Sequence, residues 1–187
     1  MGNGSPYYER LLKSVLEASE ASAWQGAVLE WDVVDCIEDE YLDASCICGK
    51  ENLRYLYTIR NRLNGNELYP IGSKCIKKFM RSDLDDYTSI MEQLFRLLHA
   101  IENREYITLT SDYFSRKLLA YLYEEGAFRP TSYNMYRPVM DYDFMLKMFN
   151  KHGPDSSAQD RKINAIILNS IKPFLQRMLH DKIRRKR

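Results

Sequence analysis

All four cysteines of this chain, Cys36, Cys46, Cys48 and Cys75, fall in its N-terminal half, and none follows Cys75. Such clustering needs a local cause. In a reducing compartment thiols do not pair as disulfides, and a structural zinc wants four tetrahedral ligands from pieces of chain that the fold brings together. The first piece is Cys46-Ile47-Cys48-Gly49 and the second is Pro70-Ile71-Gly72-Ser73-Lys74-Cys75. Gly49 and Gly72 stand where the backbone must turn tightly for its amides to approach thiolate sulfur. Lys50, Lys74, Lys77 and Lys78 would offset part of the excess negative charge of a four-thiolate zinc. Cys36 is the remaining sulfur and would close the shell, although Asp35, Glu38 or Asp39 beside it could take its place. Four sulfurs leave no position for water, so the expected Zn2+ is structural. The spacing C-x(9)-C-x-C-x(26)-C is not a pair of C-x-x-C knuckles, and four small thiols buried in a core are the alternative.

The segments around the cysteines read as a short sheet. Ala27 to Val34 and Leu53 to Ile59 carry strand patterns, and Leu68 to Ile71 is a plausible return strand. Asn64-Gly65 marks the turn between the last two, because both residues tolerate positive φ. Glu38 to Asp43 reads as an acidic loop. Before the sheet, Ser5-Pro6 starts a helix carrying Leu11, Leu12, Val15 and Leu16. After it the pattern turns helical: Ser82 or Asp83 to about Asn103, Thr110 to Gly126, Asp141 to Lys151, and a last helix from Ser156 in which Pro173 should produce a break. The expected fold is therefore α+β and mainly helical. It has an N-terminal helix (1–25), a zinc-binding β module built on a three-stranded antiparallel sheet (26–80), and a helical bundle (81–187). The metal would replace the core that so small a sheet cannot build for itself.

Composition narrows the function. Apolar residues make up 45% and charged residues 28%, with a net charge of +1, the balance of a globular protein. No run approaches the roughly 20 apolar residues needed to span a bilayer, and no signal peptide is present, so a cytoplasmic protein is expected. Phosphate-loop, dinucleotide-binding and nucleophile-elbow motifs are absent. His99, His152 and His180 are far apart, so neither an enzyme nor a small-molecule substrate is expected. Arg54, Arg60, Arg62, Lys77, Lys78 and the basic segment Lys182 to Arg187 could touch phosphates. The near-neutral total limits nucleic-acid binding, which stays as the alternative.

The stretch Ala44 to Phe79, with C-x-C-G-K at Cys46–Lys50, a strand ending Ile59-Arg60-Asn61, a turn, and P-I-G-S-x-C-I-x-x-F at Pro70–Phe79, resembles a cysteine module of proteins from Gram-positive bacteria and their phages. The organisation of the chain is similar to a zinc-containing type II-A anti-CRISPR family. The resemblance implies a phage anti-defence protein that acts in the host cell. It would bind the RNA-guided CRISPR effector nuclease and block DNA loading or targeting without catalysis. Two surfaces suit such a partner. Glu30, Asp32, Asp35, Glu38, Asp39 and Glu40 form an acidic stretch that would meet a basic nuclease surface. Tyr133, Tyr136 and Arg137, in a long loop, have the composition of a protein-contact hot spot.

Overall fold

The computed structural model describes residues 5–184; Met1 to Gly4 and Arg185 to Arg187, the end of the basic tail, lie outside the described residues. The chain divides into two compact units, one of residues 1–89 with 182–187 and the other of residues 90–181.

The first unit opens with helix α1 (Pro6–Glu17), where the Ser5 hydroxyl accepts the Tyr8 amide and Pro6 occupies the first turn. Leu11 and Val15, four apart, are its buried face. A short helix α2 (Trp24–Ala27) and a 3-10 turn (Val28–Glu30) follow, then strands β1 (Trp31–Asp39), β2 (Tyr55–Asn61) and β3 (Glu67–Ile71). One turn of helix, α3 (Ser73–Ile76), and a 3-10 turn lead into the long helix α4 (Ser82–Glu102), whose residues to Ser89 belong to this unit. The core holds Trp31, Leu56, Tyr57, Ile59, Ile71, Ile76 and Phe79, all at most 3% exposed. Polar ends of its aromatic rings are satisfied: Trp31 Nε1 donates to Ser19 Oγ at 2.9 Å, and the Tyr57 hydroxyl donates to the Thr88 carbonyl at 3.2 Å.

The three-stranded antiparallel sheet expected from sequence is not what forms. The sheet has four strands in the order β3-β2-β1-β4 and is mixed. β1–β2 and β2–β3 are antiparallel, while β4 (Ile183–Arg184) runs parallel to β1, setting Glu38 beside Ile183 and Asp39 beside Arg184. The physical cause is charge. The carboxylates of β1 can enter a sheet because cations from the far end of the chain neutralise them: Lys182 pairs with Asp35, and Arg184 reaches Asp39 and Asp43. For the same reason β1 continues through Asp39, into what reads locally as an acidic loop. It begins late, at Trp31, because Ala27 ends a helix and Val28–Glu30 turn. A bulge between Val33 and Asp35 shifts the register, so that Cys36 and Glu38 face inward.

The second unit is helical. It takes the remainder of α4, then α5 (Arg116–Glu124), α6 (Pro138–Asn150), α7 (Ser157–Ile166), a π-helical turn (Ile167–Ile171) and α8 (Lys172–Leu179). The cap of α5 is Ser115, which accepts the Leu118 amide at 3.0 Å, so the helix starts after the Thr110 expected from sequence. Ser156 caps α7 as expected. The break at Pro173 takes the form of that π-helical turn: a residue without an N–H cannot continue the i→i−4 ladder, and the extra residue per turn absorbs the defect. Phe95, Phe114, Leu118, Leu119, Leu122, Met145, Ile171, Leu175 and Leu179 are at most 1% exposed and form the core. Among the described residues no helix is long and apolar enough to cross a membrane.

Candidate metal centre

Cys46 and Cys48 sit on a tight loop before β2, and Cys75 lies in α3 just after β3. The loop is held by its own backbone. The Cys46 amide donates to the Lys50 carbonyl (2.8 Å), the Gly49 amide to the Cys46 carbonyl (2.7 Å), and the Ile47 amide to Pro70 at the end of β3 (2.9 Å). Gly49 has φ +88°, a left-handed conformation that favours glycine, and the Arg10 guanidinium lies over the position a Cβ would take. On the other side, the Cys75 amide donates to the Gly72 carbonyl at 2.9 Å and starts α3.

The hairpin brings these pieces together. The sulfurs of Cys46, Cys48 and Cys75 all lie within 4.8 Å of one another, a set that could hold a metal ion. Cys46 Sγ and Cys75 Sγ are 3.6 Å apart. Thiolates bound to tetrahedral zinc at about 2.3 Å have sulfur–sulfur edges of about 3.8 Å, so this spacing fits one ion. The Gly72 amide points at Cys46 Sγ from 3.4 Å, the amide-to-thiolate contact that the glycine in P-I-G-S anticipates. Without a cation, the three sulfurs oppose one another's ionisation. The hydrogen bond from Cys75 brings the Cys46 thiol down to about 5, well below the ordinary thiol range, with help from the Cys48 and Gly72 amides. The same hydrogen bond, then burial, pushes Cys75 up, and burial pushes Cys48 up. Three thiolates can coexist here only around a positive ion.

Cys36 does not join them, which corrects the four-thiolate set read from sequence. It lies in the middle of β1, fully buried, opposite Tyr57 of β2, and Tyr57 in turn pairs with Ile71 of β3. Two strand spacings, about 10 Å, therefore separate it from the end of β3 that leads to Cys75. The local strand pattern stops at Val34, whereas β1 runs on to Asp39 and takes Cys36 into the sheet. Neither Asp35, Glu38 nor Asp39 takes its place in the cluster. The three sulfurs line a cleft of about 280 Å3 together with Lys50, Asn52, Arg54, Tyr55 and Lys74. Lys50 and Lys74 were anticipated; Asn52 and Tyr55 carry no sequence signal.

The acidic residues are engaged within the chain. Glu30 is 5% exposed; its carboxylate accepts the amides of Glu20 (2.9 Å) and Ala21 (2.7 Å) and Asn61 Nδ2 (2.6 Å). Burial alone would raise its pKa, but these donors outweigh it and hold the carboxyl below its ordinary value. Asp32 meets Arg81 at 3.3 Å, Asp35 is paired with Lys182, and Glu38 and Asp39 are buried. The Glu40 amide donates to the Arg184 carbonyl. Glu30, Glu38 and Asp39 are thus inside the unit and cannot form a contact surface, which corrects that part of the reading.

The tyrosine loop is presented outward. Tyr133, Met135 and Tyr136 are 95%, 63% and 72% exposed, and Arg137 is exposed beside them. Asn134 between them is fully buried. Its Nδ2 donates to the Arg129 carbonyl (2.8 Å) and to Asp141 Oδ2 (2.7 Å), and its Oδ1 accepts the Thr131 amide (2.8 Å). Met135 and Tyr136 both have left-handed φ, 52° and 56°, a conformation that non-glycine residues hold only when their surroundings fix it. Just after the loop, Tyr142 of α6 stacks on Tyr123 with ring centroids 4.7 Å apart.

Compared with known proteins, no family model matches the chain, and no curated protein or solved structure matches it.

Proposed function

We propose that the chain is a non-enzymatic binding protein whose first unit is stapled by one structural zinc ion on Cys46, Cys48 and Cys75, and whose partner is a type II-A CRISPR effector nuclease. In this reading it is a phage anti-defence protein that works in the bacterial cytoplasm and blocks DNA loading or targeting. Choice of partner rests on the resemblance of Ala44 to Phe79. Binding as the mode of action is supported by one observation above the others: Tyr133, Met135 and Tyr136 project from a loop pinned by the buried Asn134. Solvent-exposed aromatic side chains held at low conformational cost are the usual anchors of protein interfaces. Zinc is favoured among metals by the thiolate donors, and the 3.6 Å sulfur–sulfur edge is compatible with it.

The test is co-elution of the purified protein with the effector nuclease on size exclusion, repeated with Tyr133→Ala/Tyr136→Ala. Complex formation by the parent chain and its loss in the double variant, with thermal stability unchanged, is the expected result. Complex formation that the double variant leaves intact removes the loop from the reading, and no complex with either removes the partner. Nucleic-acid binding is the second reading, favoured by the exposed Lys50, Arg54, Lys74, Lys77 and Lys78 in the cysteine module. A steep loss of DNA binding with rising salt would support it.

A further inference from the structure

A zinc ion held by the three sulfurs needs a fourth donor, and no described histidine, further cysteine or carboxylate side chain joins the cluster to supply one. Cys36 stands behind β2 in the register. Zinc sites with three protein ligands keep their fourth position for water or for a ligand from outside. Here all three cysteines line one cleft, so an ion touching them is in its wall. At about 280 Å3 that cleft is far larger than the space one water needs. Lys50, Arg54 and Lys74 line the same cleft. Zinc with three thiolates is already an anion, and three neighbouring cations favour a further negative donor over a neutral one.

We propose that the fourth coordination position of the Cys46/Cys48/Cys75 centre is an exchangeable site for an exogenous anionic donor, for which a small thiolate is the matching soft probe, received through the cleft lined by Lys50, Arg54 and Lys74. The centre then both braces the first unit and binds a ligand. This rests on the metal reading of the previous subsection, and the experiment separates the two.

Cobalt(II) replaces zinc in thiolate sites and reports its donors by sulfur-to-cobalt charge-transfer absorption, which scales with the number of Co–S bonds. The full-length protein is loaded with cobalt and titrated with 2-mercaptoethanol. The expected result is one cobalt per chain with the intensity of three Co–S bonds, rising by about a third as a fourth sulfur binds. Cys36→Ala should leave the starting spectrum unchanged. Lys50→Ala/Lys74→Ala should leave cobalt stoichiometry unchanged and weaken the thiol titration severalfold. Four-sulfur intensity before thiol is added, falling by about a quarter in Cys36→Ala, would show a closed shell and overturn the proposal while the metal reading stands. Three-sulfur intensity that thiol does not alter would also overturn it. Failure to bind cobalt or zinc at all would remove both. Should Cys36→Ala prove unstable, Cys36→Val, which fills the buried site, gives the same comparison.

Discussion

Removing the Asn134 side chain should cost more than its exposed setting in a loop suggests. Asn134→Ala deletes three hydrogen bonds at once, to Thr131, Arg129 and Asp141. The bond to Asp141 is buried and goes to a carboxylate, so its loss costs about 1.5–3 kcal/mol. Lys162 at 3.3 Å still partners Asp141, which keeps the cost at the lower end. The other two bonds are part-buried and contribute about 0.5–1 kcal/mol each. The sum is about 3 kcal/mol, on the order of a hundredfold in the folding constant of the second unit. Both tryptophans, Trp24 and Trp31, lie in the first unit, so fluorescence reports that unit and far-UV circular dichroism is the probe for the helical one. With a urea slope of about 2 kcal/mol per molar for a domain of this size, the dichroism midpoint should fall by about 1.5 M. The binding proposed for the loop should weaken with it, since Tyr133 and Tyr136 lose their fixed presentation. A shift below about 0.3 M would show that the loop is not held by this side chain, and the argument from pinned display would fail.

Three other outcomes can be checked on the same preparations. Cys48→Ser should abolish metal binding in carefully purified protein and lower the stability of the first unit by several kcal/mol, the scale of structural metal sites; a full equivalent of zinc in the variant would refute the ligand set. Because the folded-state pKa of Glu30 is depressed, its contribution is present above its ordinary value of 4.5 and lost as pH falls through the folded value; acid unfolding followed by tryptophan fluorescence should be shallower in Glu30→Gln. Arg184→Ala leaves Asp39, whose side chain is 0% exposed, without an arginine that is itself 44% exposed; with screening at that exposed end, a loss of about 1–2 kcal/mol by urea unfolding is expected, and no change would remove β4 from the stability of the sheet.

What could be read from the sequence was what local physics decides. Helix α4 follows its apolar spacing from Ser82, the hairpin of β2 and β3 follows Asn64-Gly65, Ser156 caps α7, and Pro173 breaks the last helix. Cys46, Cys48 and Cys75 were legible because a hairpin joins them. The misreadings share a different origin. Whether Trp31 to Asp39 is a strand with an acidic loop behind it, or one long strand, depends on Lys182 and Arg184, which no window around β1 contains. Cys36 was misplaced with it, since its position in mid-strand follows from that extension. The acidic run looked like a surface because burial of Glu30 depends on amides at Glu20 and Ala21 and on Asn61, a three-part contact without a local pattern. Asn134 looked like one more polar loop residue for the same reason.

The pairing of Arg184 with Asp39 spans 145 residues. At about 5–20 residues per second, a ribosome needs on the order of ten seconds to deliver the partner after β1 has emerged. Throughout that interval β1 lacks the strand and the cations that neutralise its carboxylates, while Cys46, Cys48 and Cys75 are already synthesised. On the proposed metal reading, the ligand set is therefore complete long before the sheet can close, and a ribosome stalled before Lys182 would carry a first unit able to take its ion yet still open along β1.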